Sequence, residues 1–253
     1  MKETIHSKIL NNEQILQAFS TSDWGPLRPK LVWKEEHYDN TTIECNKAFF
    51  QQFDINYTDT VALNQSHSDR VLVVNESDKG AGVVNRTAGL DGDALVTNIS
   101  QVPLLIMVAD CVPVFFHDPI KKVIGVAHSG WMGTFAEIAK KTIVTMKNSF
   151  QTDSRDIQVY IGPCIAGRNY NVSAERENRK EANEYFKKMG GAEIKDNEYY
   201  IDLRSVIRKQ LIELGVKDSN IETSNLCTFE QENLYSHRGK NMPSNNIGVI
   251  MLK

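Results

Sequence analysis

Between residues 60 and 127 the apolar positions come in short, nearly unbroken runs, at 60–63, 71–74, 94–97, 104–108, 112–116 and 123–127. Runs of this length, rich in Val, Ile and Leu, predict strands covered on both faces, and so a sheet lying between other layers. Ahead of them Ala48, Phe49, Phe50 and Phe53 recur at helical spacing and predict a short helix over 45–53. Behind them the turn Ser129-Gly130-Trp131-Met132-Gly133-Thr134 leads into 135–150, where Ala136, Ile138, Ala139, Ile143, Val144 and Met146 suit a largely buried helix. The alternation continues with a strand at 157–162, a charged amphipathic helix at 174–189, a helix at 203–214, and strands at 221–224 and 247–252. The class predicted is α/β or α+β, with a mixed, layered sheet.

No repeat, linker or shift of composition divides the 253 residues, so a single domain, 1–253, is expected. With 29 basic and 32 acidic residues well interspersed, and a net charge of −3, the chain lacks an electrostatic footprint for nucleic acid or a membrane surface. A small-molecule substrate is therefore the default, and a monomer is expected. The first ten residues are too polar for a signal peptide, which points to a cytoplasmic protein whose Asn-x-Ser/Thr triplets at Asn40, Asn64, Asn85 and Asn171 stay unmodified. The longest apolar stretch, 102–116, contains Asp110, Pro103 and Pro113 and falls short of the roughly 20 residues of a membrane span. Cys45, Cys111, Cys164 and Cys227 lie far apart, with no Cys-x-x-Cys pair and no disulfide framework.

Three segments have the local character of sites: Asn64-Gln65-Ser66-His67-Ser68, Val108-Ala109-Asp110-Cys111-Val112-Pro113 and Gly125-Val126-Ala127-His128-Ser129-Gly130-Trp131. In each, a metal-binding or acid/base residue stands where a strand gives way to a turn. Taken singly, Cys111 and His128 read as small or structural core residues. Together, one thiolate and two imidazoles suit Zn²⁺ with three protein ligands and a fourth position for water or substrate. The spacings, 44 residues from His67 to Cys111 and 17 from Cys111 to His128, form no compact zinc motif. They equally allow a metal-independent hydrolase, with Cys111 as nucleophile and His128 as its base.

The same residues carry a resemblance to the YfiH family of laccase-like polyphenol oxidoreductases, also understood as purine nucleoside enzymes. It runs from about Phe19-Ser20-Thr21 to the C-terminus through Asn46, Gln65-Ser66-His67, Asp93-Ala94-Leu95-Val96-Thr97, Ala109-Asp110-Cys111-Val112-Pro113, Ala127-His128-Ser129-Gly130-Trp131, Ile161-Gly162-Pro163, Cys227-Thr228 and Tyr235-Ser236-His237-Arg238. The resemblance implies a fold related to bacterial toxin cysteine deamidases, with one zinc per chain held by His67, Cys111 and His128. The implied activity is phosphorolysis of adenosine, inosine, guanosine or methylthioadenosine to the base and ribose 1-phosphate, with phosphate as co-substrate, together with adenosine deamination. Cys111 and His128 would then be catalytic as well as metal-binding, Asp110 would orient a ligand or proton, and Arg238 and Gln65 would contact substrate. The older reading, a copper-dependent polyphenol oxidase, asks for more copper ligands than one Cys and two His supply.

The chain also departs from the family pattern. Ser22 stands where an arginine is usual, Trp24-Gly25 where Gly-Gly is, Met132 in place of the arginine after Gly-Trp, Asn171 in place of a glutamate, and Asn245-Asn246 in place of Gly-Arg. A divergent enzyme, or a non-catalytic nucleoside-binding protein that has kept its metal, is compatible with that thinning of the polar shell. Cys164, after Gly162-Pro163, is expected to be buried and structural.

Overall fold

The computed structural model describes residues 2–27, 40–83, 90–239 and 244–253; Asn85 lies outside them. Two six-stranded sheets pack face to face. The first runs in the order Thr4–Ile5, Ile15–Ser20, Asn246–Leu252, Leu104–Val108, Val61–Asn64, Leu90–Asp91. The second runs Ile221–Thr223, Gln158–Ile161, Val112–Asp118, Val123–Ser129, Ala94–Thr97, Val71–Val73. Both mix parallel and antiparallel pairs.

Period-two alternation divides each strand between two cores. In Ile15–Ser20, Ile15 and Phe19 face the second sheet, while Leu16 and Ala18 pack with the helix Asn40–Gln51 through Phe49 and Phe50. In Asn246–Leu252, Ile250 and Leu252 point inward to the other sheet and Ile247, Val249 and Met251 to the helix side. The outer face of the second sheet, with Ala94, Val96, Val112, Val114 and Phe116, is covered by Ile138–Phe150, Lys180–Lys188 and Leu203–Glu213 through Ile143, Met146, Phe186, Ile207 and Leu211. The layers are therefore helix, sheet, sheet, helices, with two sheets at the centre where the hydrophobic pattern pointed to one. Central strands such as Leu104–Val108 and Val123–Ser129 read as nearly continuous apolar runs because both of their faces are covered. The sheets approach so closely at Gly248 that a Cβ there would stand 2.6 Å from Cζ of Phe115.

Several elements differ from expectation. The helix anticipated over 135–150 is two, Trp131–Phe135 and Ile138–Phe150, because Glu137 between them adopts a left-handed φ of 59°. The helix anticipated over 174–189 begins only at Lys180, and Asn171–Ser173 ahead of it is a strand. That strand joins Glu198–Ile201 and Ala192–Lys195 in a third, antiparallel sheet. The hairpin within it turns at Asp196 and Asn197, whose φ of 50° and 61° are those of a type I′ turn. Among the described residues no helix is long and apolar enough to cross a membrane.

Candidate metal centre

The three sequence segments meet at one end of the two-sheet sandwich. Val61–Asn64 and Leu104–Val108 are parallel neighbours, so the chain leaves both at the same edge, and the residues after them carry His67 and Cys111. The turn holding Cys111 crosses from the first sheet into Val112–Asp118 of the second, which pairs antiparallel with Val123–Ser129 and sets Pro113 opposite His128. One ligand atom from each of His67, Cys111 and His128 lies within 4.8 Å of the other two. Sγ of Cys111 is 3.8 Å from Nε2 of His67, and the two imidazoles stand edge to face with centroids 4.8 Å apart. Gly130 closes this corner: a Cβ there would lie 2.9 Å from Cδ2 of His67 and 3.0 Å from Sγ of Cys111.

Asp93, fully buried, organises the cluster. Its carboxylate accepts from Nδ1 of His128 at 2.7 Å and from the backbone N–H of Ser66, His67 and Ser68 at 3.2, 3.1 and 2.6 Å, with the Ser68 hydroxyl also donating at 2.6 Å. These bonds hold the loop in which His67 takes a left-handed φ of 62°. They also fix the His128 tautomer, so that Nε2 is left to face the cluster, an arrangement typical of metal-bound histidine. Sequence reasoning did not single out Asp93 as a site residue; its signals were its place in the resemblance block Asp93-Ala94-Leu95-Val96-Thr97 and a carboxylate directly before a strand.

The electrostatics favour an ionised pair. Burial pushes the Asp93 carboxyl up, but the bonds from His128 and Ser68 outweigh it and bring it down to about 2. Burial likewise raises the Cys111 thiol, yet the facing His128 and His67 imidazoles lower it to about 6. Burial lowers His128, while the Cys111 thiolate and Asp93 raise it to about 9. The donor set fits a soft divalent cation: one thiolate and two imidazoles, one of them backed by a carboxylate. It is the only group of three or more His, Cys, Asp or Glu found close enough together to hold a metal among the described residues.

The other sequence-nominated residues fare differently. Gln65, expected to contact substrate, spends its side-chain amide on the backbone of Met107, donating to the carbonyl and accepting from the N–H at 2.8 Å each. Asp110, expected to orient a ligand or proton, has φ 85° and a carboxylate that accepts from the hydroxyls of Thr228 and Ser236 and the backbone N–H of Arg238 at 2.6, 2.7 and 2.6 Å. It is a strap to the C-terminal loop. Arg238 stays at the exposed rim, its guanidinium donating to the carbonyl and side-chain oxygens of Asn171. Asn246 is buried and pairs with the backbone of Tyr235 at 2.9 and 2.8 Å, while Met132 is 39% exposed. Cys164 is fully buried, its thiol pushed up by burial, and its backbone bridges to that of Cys227.

The family model described as multi-copper polyphenol oxidoreductase laccase matches residues 34–253. A purine nucleoside phosphorylase of Clostridium acetobutylicum is 36% identical over 208 residues, covering 81% of this chain and 78% of the relative. Adenosine deaminase RL5, from an unidentified prokaryote, is 32% identical over 199 residues, covering 78% and 76%. The solved structure of the YfiH protein of Bacillus licheniformis superposes with a TM-score of 0.84 at 26% identity, over 94% of this chain and 93% of that one. With the fold, most of the length and the family model in agreement, the chain belongs to the YfiH family of laccase-like polyphenol oxidoreductases.

Proposed function

We propose that the protein is a zinc-dependent purine nucleoside phosphorylase that also deaminates adenosine, with inorganic phosphate as co-substrate and one zinc per chain. The observation that carries the reading is the convergence of His67, Cys111 and His128 around one point, in a chain whose relatives bear those two enzyme names. Cys111, already ionised near neutral pH, is the soft anionic ligand; His128 offers Nε2 because Asp93 occupies Nδ1; His67 is the ligand on the exposed side. When bound there, zinc supplies Lewis acidity of the kind that lowers the pKa of water to about 7.

In phosphorolysis an oxygen of phosphate forms a bond to the ribose anomeric carbon as the bond to the purine nitrogen breaks, and the departing purine takes up the electron pair and a proton. In deamination water adds at the amine-bearing carbon and ammonia leaves. This chain's residues contribute anchorage to both: Asp93 fixes the ring of His128 and the loop of His67, and Asp110 ties down the loop that carries Arg238. Two polar side chains at substitution points of the family pattern, Asn171 and Asn246, are engaged within the protein, which supports an altered nucleoside preference.

The ionised Cys111–His128 pair also favours a second reading, a metal-independent thiol hydrolase. Product analysis of the purified chain separates the two. Adenosine and inosine are incubated with and without phosphate, with zinc content measured, beside a chelated sample and Cys111→Ala. Phosphate-dependent free base or phosphate-independent inosine, lost on chelation and in the variant, is the expected result. Activity that survives chelation and dies on alkylation would overturn zinc dependence, and nucleoside binding with no turnover would identify a binding protein.

A further inference from the structure

Arg179 is a buried cation with no counter-ion among the described residues. Its residue is 3% exposed, its guanidinium carbon lies 4.3 Å from the Trp131 ring centroid and 5.4 Å from that of Tyr170, and one terminal nitrogen donates to the Tyr170 hydroxyl at 2.8 Å. Nε is buried and bonds to nothing, and among the described residues no carboxylate forms an ion pair with it. A guanidinium has five donors and keeps its charge at any ordinary pH, and here stacking and one bond leave the Nε donor unmet.

A second guanidinium completes the arrangement. The Arg238 guanidinium carbon lies 5.6 Å from the same Tyr170 ring centroid and its nitrogens donate to Asn171, again with no ion pair among the described residues. Two carboxylates touch this group without meeting a guanidinium: Glu198 accepts from Asn171 Nδ2, and Asp110 accepts from the backbone N–H of Arg238. Both cations border the candidate metal centre. Trp131 directly follows Gly130, which abuts His67 and Cys111, and the backbone of Arg238 is bonded to Asp110, the neighbour of Cys111. Two guanidiniums thus stand by one aromatic ring, neither in an ion pair among the described residues, and a tetrahedral dianion is the ligand whose charge and acceptors such a pair suits.

We propose that Arg179 and Arg238, spaced by Tyr170, form the oxyanion pocket that binds inorganic phosphate, and on the product side the phosphoryl group of the sugar 1-phosphate. The proposal rests on the phosphorolysis reading and names the residues of its phosphate subsite. Arg179 supplies the desolvated, preorganised half of the grip, and Arg238 the half that exchanges with solvent.

The test is calorimetric titration of inorganic phosphate into the full-length, zinc-quantified chain, with Arg179→Met, Arg179→Lys and Arg238→Met. Saturable binding by the parent protein, weakened at least about tenfold in Arg179→Met and partly restored in Arg179→Lys, is expected from loss of a paired charged contact. Arg238→Met weakens binding less, and ribose 1-phosphate competes with phosphate. If Arg179→Met does not fold by circular dichroism, Arg179→Lys and Arg238→Met decide the matter in its place. Absence of saturable binding by the parent, unchanged affinity in the folded variants, or tight binding of a nucleoside 5′-monophosphate that phosphate does not displace would overturn the proposal. Phosphate binding through Arg179 in a chain that leaves nucleosides intact would keep the pocket and sink phosphorolysis. Phosphate-dependent turnover whose KM for phosphate ignores both arginines would do the reverse.

Discussion

Nδ1 of His128 donates to the buried carboxylate of Asp93 across 2.7 Å. Replacement by asparagine keeps the volume and one acceptor but turns a donor toward the N–H groups of the His67 loop. We expect Asp93→Asn to lower zinc affinity about 10–100-fold, the range for removing the partner of a ligating histidine. Competition against a chromophoric chelator measures it, and an unchanged affinity would show that the loop and ring are held by other means.

Gly130 has ordinary backbone geometry, φ −75°, so its requirement for glycine is one of space. Gly130→Ala would place a methyl within 3.0 Å of Cys111 Sγ and closer still to His67. The expected result is a folded protein with depleted zinc, read by metal analysis alongside circular dichroism. Full stoichiometry in the variant would mean the His67 loop yields freely.

Metal affinity should depend on pH with a definite sign. Between the Cys111 value of about 6 and the His128 value of about 9 the metal-free pair keeps one proton, on the imidazole, which a metal must displace. Affinity therefore rises with pH, by about tenfold per unit in that window, and levels off above it. A flat profile from pH 6 to 9 would contradict the ionised pair.

Gly248→Ala forces a methyl against the ring of Phe115 at the contact between the two sheets. Overpacking of this kind costs about 1–3 kcal/mol. Urea denaturation should show the midpoint falling, and no change would indicate that Phe115 can rotate away.

Asp110→Ala removes the acceptor shared by Thr228, Ser236 and Arg238. Loss of that strap should cost about 1–3 kcal/mol, because two of its donors belong to buried residues that lose their partner. Zinc content should persist, since Cys111 is positioned by the turn between two intact strands. A protein of parental stability but without zinc would make Asp110 part of the metal centre after all.

The sequence disclosed the site more fully than the layers. Strand ends are visible as apolar runs that stop, and His67, Cys111 and His128 each stand at one, so their candidacy needed no tertiary information. Their convergence did, because it depends on Val61–Asn64 lying parallel to Leu104–Val108 and on a crossing between sheets. Ile15–Ser20 escaped notice because Gln17 interrupts a run too short to show alternation, although the strand lies beside Asn246–Leu252 near the middle of its sheet. The hairpin at 192–201 was hidden by Glu193, Lys195 and Glu198, which are solvent-facing or nearly so. The break at Glu137 has no sequence signature, since glutamate is an unusual occupant of left-handed backbone. Arg179 looked like one more charge in a charged helix; only its burial distinguishes it.

The candidate ligands straddle a seam: His67 follows a strand of one sheet, His128 belongs to the other, and Cys111 sits on the crossing between them. A cation held by all three would act as a rivet through the sandwich, so that sliding the layers past each other and releasing the ion become one event. Loading then adds to the free energy of unfolding in proportion to the logarithm of free metal over its dissociation constant. The same ion would set both the chemistry of the cleft and the survival of the chain, and scarcity of metal would reach the protein first as a shorter lifetime.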